Sequence, residues 1–501
     1  MKQKILNMIY VIMALLFINY PLSYALTDLR IILYFVLIFF IIIFVLNKFK
    51  LNNKMSEKYY LLIVVILALL SRIGVVILFN DYVTQVSDFG GAISRSFNLD
   101  FSGIYYRVFT HWILYPRIVN ILYKIFGASQ LVALLFNAII LTLVSVLIYK
   151  VSETIFKNKK HALLASLIYI FWPANILYTL IFTPEHVCTL LLVLVLYLFL
   201  KIDYDTHFYK FKNIIIALLI GSLLGISTFF KNFAPVFLIA FIVYYFISLI
   251  IKKNIKILIV RYLSIMVIVF MSFIISKNIT FMYIDKIVGN TVARNITPCY
   301  LNVGLRGDGR YSNENYAMYF DSLKKNNYDF NKTNKEIMDN LKDYIKDKNS
   351  KIHDPLFFNN KANIIINGDS SRINWIAQSF KAKEHYTIFS TLDKDIKTFN
   401  NNYYTIIIFL VALSLLFTVH FENQELLLLH TIMHGSFLIL LLIEAQNRYM
   451  YSIQSIMCIL AVPGILYLKK MLENYNKIEK ILFSEKKTRY KNKWFFCFQK
   501  I

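Results

Sequence analysis

The stretch YYLLIVVILALLSRIGVVILFNDYVTQVSDFGGA, residues 59–92, decides how the chain is read. A helix crosses the hydrocarbon core with about 20 apolar residues, so the run over 59–80 reads as a transmembrane span. Asp88 follows within a few residues of where that span leaves the bilayer. A carboxylate there costs little where water reaches it, and a solvated loop acid or a helix N-cap accounts for it. Yet SDFGGA also opens what reads as an interfacial helix, which would hold the acid at the edge of a membrane-facing cavity.

The rest of the chain agrees with a membrane setting. Of 501 residues, 58% are hydrophobic, with 43 Phe and 35 Tyr and a mean hydropathy of +0.57, against roughly 45–50% apolar content in soluble domains. The formal net charge of +25 would raise nucleic acid in a soluble protein. Here basic cytoplasmic loops and anionic lipid are the nearer explanation, and no nucleic-acid partner is expected. Cys188, Cys299, Cys458 and Cys497 are scattered, with neither a disulfide framework nor zinc spacing.

The same ruler predicts twelve spans, at 5–26, 30–47, 59–80, 128–150, 161–181, 186–202, 213–230, 233–251, 256–276, 402–420, 424–443 and 447–468. The N-terminal run lacks a small-residue cleavage site and is read as a retained span. With the N-terminus inside, NKFKLNNK, FKNKKH, KIDYDTHFYKFKN and KKNIK are cytoplasmic, as is the tail after Leu468, with ten Lys or Arg against three Glu. The expected division is an N-terminal hairpin with its cytoplasmic loop (1–58), a transmembrane core with an outer loop at 81–127 (59–276), a small, mainly helical extracellular domain (277–401), C-terminal spans (402–468) and a basic cytoplasmic tail (469–501). The loop FSGIYYRVFTHWILYPRIVNILYKIFG is too polar to span and reads as interfacial helices.

Ionisable residues gather at the predicted outer ends of the spans. Glu185, in WPANILYTLIFTPEHV, follows Thr183 and Pro184, which suit a helix start, and a first-turn Glu interacts well with the helix dipole. His186 beside it is readable as a polar interface residue. Lys231 in FFKNFAP, and Glu444 and Arg448 in IEAQNRYMYS, sit in outer turns. An arginine there can simply snorkel to the headgroups, but it is also suited to grip a phosphate through two parallel hydrogen bonds. His430 and His434 share one helix face; with no carboxylate following, core hydrogen bonding is favoured over half a metal site. Gly304 and Gly309 in VGLRGDG read as turn residues, and Arg306 and Asp308 as a solvated loop.

The order of SDF, WPANILYTLIFTPEH, GISTFFKNFAPVFLIA, YLNVGLRGDGRYSNENY and IEAQNRYMYSIQSIMCILAVPGI resembles the GT-C membrane glycosyltransferases, in particular bacterial relatives of the protein mannosyltransferases and aminoarabinose transferases, over about residues 60–468. The resemblance implies an all-α polytopic membrane protein, a GT-C-like bundle of about twelve helices. By position it implies Asp88 as catalytic base and Glu185 as a second catalytic acid. Arg448, Lys231, Arg95, Tyr449, Glu444 and His186 fall to binding substrate or lipid phosphate. Relatives tend to carry an Arg-Pro pair where this chain has Lys231 and Asn232, which sets Lys231 apart. The catalytic loop also follows the third span here and not the first.

The expected reaction is inverting transfer of a sugar from a polyprenyl-phosphate donor to the hydroxyl of a glycan, lipid or protein at the outer face of the cell membrane. No cofactor is expected, though some members of the wider superfamily use a divalent cation. The alternatives are a flippase or transporter of lipid-linked sugars, a polysaccharide polymerase or ligase using a lipid-diphosphate donor, and a scaffold.

Overall fold

The computed structural model describes residues 55–203, 210–251, 255–366, 368–381, 387–421 and 424–471, and all their regular structure is helical. The spans expected at 5–26 and 30–47 and the tail 472–501 lie outside the described residues. Each of the other ten expected spans falls on a helix. Six of these are long and apolar enough to cross a membrane: Glu57–Tyr82, Gln130–Phe156, Ile259–Val288, Lys394–Leu416, Gln424–Leu442 and Asn447–Met471. Glu185–Leu200, Phe211–Ser227 and Ala234–Leu249 are apolar but shorter. The chain is a multi-pass membrane protein.

The span expected at 161–181 is broken. Helix Lys159–Ile170 ends, and Pro173–Leu180 departs from it at 64°, because Pro173 has no N–H for the helical ladder and its ring clashes with the turn before it. The break turns Asn175 and Tyr178 into the protein core, where both are fully buried.

The predicted limits of the large polar region also differ from the helices. Ile255–Val288 continues well past residue 276, and Thr387–Phe421 begins before 402. Falling hydropathy at Ser276 and Lys277 marks the end of the apolar run, not the end of the helix, since helix formation needs no apolarity. Between these rods lie Thr297–Leu305, Asn313–Lys325, Phe330–Lys346, Phe357–Ile366 and Ser370–Lys381. The last contributes Ile373, Ile376, Ala377 and Phe380 to the same core as the spans.

The segment after the first described span forms Ser87–Asn98, Ile104–Val108 and Leu114–Phe126. Elsewhere helix Phe211–Ser227 lies directly on Ile255–Val288 through Gly221 and Gly225, where an added Cβ would overlap Ser272 and Ser276. This small-xxx-small spacing lets two backbones approach closely.

Candidate active site

The start of helix Ser87–Asn98 is fastened before its acid is placed. Gln85 is buried; its side chain donates to the Leu180 carbonyl at 2.8 Å and accepts from the Phe182 N–H at 2.9 Å. The Thr84 N–H donates to the Ser379 carbonyl at 3.2 Å. The SDF tripeptide is thereby tied both to the turn preceding Glu185 and to helix Ser370–Lys381.

Within SDF the two side chains diverge. Phe89 is buried, with its ring 5.4 Å from Trp375 and 6.0 Å from Trp112. Asp88 is exposed, and its Oδ1 accepts a hydrogen bond from the Tyr105 hydroxyl at 3.0 Å. Burial and the neighbouring Asp88 charge both push the Tyr105 hydroxyl well above its ordinary pKa, so it stays a donor.

Phe89 leads directly to Arg448. The guanidinium lies 5.4 Å from the Phe89 ring, 5.4 Å from Trp375 and 5.5 Å from Tyr449. Its Nε is 3.9 Å from Glu185 Oε1 and is buried without a hydrogen-bond partner. Glu185 is 5% exposed and also meets the Lys231 ammonium at 3.3 Å and the Tyr178 hydroxyl at 3.1 Å. One carboxylate thus holds two cations from two different turns. Lys231 rests over the Tyr449 ring at 3.7 Å. Burial lowers its ammonium below the ordinary pKa, opposed by Glu185. His111 is pushed down to about 3 by burial and by the Lys231 and Arg448 charges, so it is neutral beside them.

Tyr449 continues the path. Its hydroxyl donates to Glu444 Oε2 at 3.1 Å, the Tyr316 hydroxyl donates to the same oxygen at 2.7 Å, and the Gln446 amide donates to Oε1. The Tyr316 ring is 6.0 Å from Phe109, which is 4.9 Å from Tyr105, the donor to Asp88. These contacts close a circuit: Asp88, Tyr105, Phe109, Tyr316, Glu444, Tyr449, Lys231, Glu185, Arg448, Phe89.

Six of the eight sequence-derived site residues lie on this circuit. Arg95 does not: its Nε donates to the Tyr106 hydroxyl at 3.0 Å and its Nη1 is 3.7 Å from Asp100. His186 is also apart, fully buried with Nδ1 2.7 Å from the Tyr451 hydroxyl. Arg306 is spent on Asn302 and Asn340. Gly304 is helical rather than a turn residue. It lies so close to the 442–443 backbone that a Cβ would overlap it, while Gly309, at φ +73°, is a turn glycine. His430 pairs with Ser414 at 3.0 Å and His434 with the His430 carbonyl at 2.6 Å. Among the described residues no group of three or more His, Cys, Asp or Glu could hold a metal ion.

Sequence reasoning missed the support beneath the circuit. Arg372 is fully buried, donating to Asp369 at 2.7 Å and to Asn175 at 2.5 Å; Asp369 also accepts from Trp172 Nε1 at 3.1 Å. The Arg372 guanidinium lies 5.6 Å from Tyr178 and 5.0 Å from Tyr451. The available signal was the turn-like NGDSSRINW, with acid and base three apart on one helical face. Arg72 was also missed, a fully buried cation inside an apolar run and 5.5 Å from the Tyr169 ring.

Residues 110–275 match the family model described as dolichyl-phosphate-mannose-protein mannosyltransferase. That match bears out the resemblance to the GT-C enzymes of protein-mannosyltransferase type. No curated protein sequence matches the chain. Among solved structures it is similar to archaeal oligosaccharyltransferase AglB from Archaeoglobus fulgidus, with 11% identity and a TM-score of 0.48 over 85% of this chain and 52% of that one. The apo form of the Archaeoglobus fulgidus oligosaccharyltransferase gives 12% identity and 0.45 over the same shares. The chain spans about half the length of these structures.

Proposed function

We propose that the protein transfers a sugar from a polyprenyl-phosphate donor to an acceptor hydroxyl at the outer face of the membrane, inverting the anomeric centre. Asp88 takes the acceptor's proton while that oxygen bonds to the anomeric carbon. The bond from that carbon to the phosphate oxygen breaks, and its electron pair leaves with the lipid phosphate. A positioned general base contributes about 100-fold to 10,000-fold.

The phosphate belongs to Arg448 and Lys231. Glu185, buried between them, is better placed to fix their spacing than to take a proton. Two cations against one carboxylate leave one positive charge, which balances a donor phosphodiester and meets the extra negative charge that develops as the phosphate departs. Donors held in place before the reaction stabilise that charge without reorganisation. The observation that supports the reading is the 5.4 Å contact of the Arg448 guanidinium with the ring of Phe89, the residue next to Asp88.

The test is a proteoliposome assay with undecaprenyl phosphate bearing one sugar. The expected products are free prenyl monophosphate and a glycosylated acceptor. Consumption of a lipid diphosphate with the monophosphate donor untouched would move the protein to the polysaccharide polymerases and ligases.

A further inference from the structure

One side of the circuit is aromatic, and neither the proton transfer nor the phosphate grip explains it. Phe109 is its hub, with ring centroids 4.9 Å from Tyr105, 6.3 Å from Tyr300, 6.0 Å from Tyr316 and 6.1 Å from Phe320. Tyr311 extends the arc, 5.4 Å from Tyr316. Phe109 is buried, but Tyr105, Tyr300 and Tyr316 are half-buried and Tyr311 is 59% exposed, so the arc reaches the protein surface.

The ends of the arc are chemically alike. Tyr105 donates to Asp88 at one end, and Tyr316 donates to Glu444 at the other. Both carboxylates take their hydrogen bonds from neutral groups: a hydroxyl on Asp88, two hydroxyls and an amide on Glu444. Glu444 is 2% exposed with both oxygens already accepting hydrogen bonds, so it acts on a bound group through its charge, while the exposed Asp88 can accept a further donor. The cations Lys231 and Arg448 face Glu185 instead. Aromatic rings that end on the exposed Asp88 acceptor suit a polyol, whose C–H face lies on the rings while a hydroxyl donates to the carboxylate.

The arc also adjoins the phosphate grip. Tyr449, which donates to Glu444, carries the Lys231 ammonium on its ring. A glycosyl group bonded to a phosphate held there would reach the arc, with its anomeric carbon toward Asp88.

We infer that the Phe109 arc is the donor's glycosyl subsite, that it takes neutral or amino sugars and rejects uronic acids, and that Glu444 determines this choice. The inference rests on the proposed transfer reaction. A uronic acid would bring a third negative charge between Asp88 and Glu444, and repulsion of a competing substrate is an effective source of specificity. Aromatic contact with the sugar would meanwhile set donor affinity.

The experiment measures kcat and KM in proteoliposomes for undecaprenyl phosphate carrying glucose, mannose, galactose, N-acetylglucosamine, glucuronic acid or galacturonic acid. Wild type is expected to favour its best neutral donor over either uronosyl donor by roughly 100-fold in kcat/KM, and Glu444→Gln to narrow that ratio at least tenfold. Tyr311→Ala, at an exposed position, should raise donor KM several-fold and leave acceptor KM unchanged. A uronosyl donor used best, or an unaltered ratio in Glu444→Gln together with wild-type donor KM in Tyr311→Ala, overturns the subsite while leaving the transfer reaction standing. A rise in acceptor KM alone would give the arc to the acceptor and overturn its assignment to the donor. If no prenyl-monophosphate donor is consumed by wild type, the transfer reaction falls and the subsite with it.

Discussion

Asp88→Asn separates chemistry from folding because of where the carboxylate sits. The side chain is exposed, and its hydrogen bond is accepted from Tyr105 through Oδ1, which an asparagine amide oxygen reproduces. Exposed substitutions away from special features usually change stability by no more than about 0.5 kcal/mol, so the variant should melt in detergent with wild type. Asparagine cannot take the acceptor's proton. Loss of a general base costs about 100-fold to 10,000-fold in rate, or about 2.7–5.4 kcal/mol of barrier. The assay is single-turnover transfer from a prenyl-monophosphate sugar in proteoliposomes, with donor binding measured separately. Binding should persist, because the proposed phosphate grip is formed by Arg448 and Lys231 and not by Asp88. Tyr105→Phe removes only the orienting hydroxyl and should lose less activity than Asp88→Asn. A folded Asp88→Asn protein that transfers at the wild-type rate refutes the role of Asp88, whatever the other variants do.

Arg372→Met should destabilise the protein by about 3–5 kcal/mol, the usual cost of stranding one member of a buried ion pair, read as a lower melting temperature; adding Asp369→Asn should recover part of the loss, and a wild-type melt for the single variant would contradict the pairing. Gly304→Ala places a Cβ inside the 442–443 backbone and should cost about 1–3 kcal/mol through overpacking; because the displaced turn carries Arg448, transfer should fall as well, and unchanged melting and turnover would count against the contact. His111 has its native pKa pushed down from 6.5 to about 3, so between those values the unfolded chain binds the proton and the folded one does not. Its contribution to stability therefore rises with pH across that window and is lost as pH falls below 6.5. His111→Gln should flatten the fall in melting temperature between pH 7.5 and pH 5, and an unchanged slope would show that His111 is not held neutral.

The spans were legible because a bilayer imposes a length on apolar runs. Glu185, Lys231, Glu444 and Arg448 stood out because each interrupts such a run at its end. What periodicity could not show is direction. Arg95 lies seven residues after Asp88 on one amphipathic helix, yet it turns to Tyr106 and Asp100 and away from the circuit. The Pro173 break was visible as a proline, but its consequence, a buried Tyr178 donating to Glu185, depends on how the bent piece packs. Asp369 and Arg372 were hidden in a region of mixed charge that resembles a solvated surface; only the folded protein shows Trp172, Asn175 and Asn400 closing around them. The aromatic arc was concealed by abundance, since 35 tyrosines offer no way to choose four.

The polar region and the spans therefore act as one body at this end of the bundle, and the route is traceable. Lys361, buried on helix Phe357–Ile366, donates to the Gly304 carbonyl and, at 2.8 Å, to the Ile443 carbonyl. The Ala445 N–H donates to the Gly309 carbonyl at 2.8 Å. Glu444 lies between those two anchored residues, and Arg448 follows three residues after the second. Burying an ammonium for the sake of two carbonyls is costly where an apolar side chain would fill the space more cheaply. The expense makes sense if the turn must hold a carboxylate and a guanidinium at fixed positions, because a displacement near 1 Å at a reacting centre can cost about 100-fold in rate. The same reasoning applies to Glu185 between two cations and to Arg372 beneath Tyr178. Under the proposed reaction, these buried charges hold the turns that carry Glu444, Arg448 and Glu185 in fixed positions.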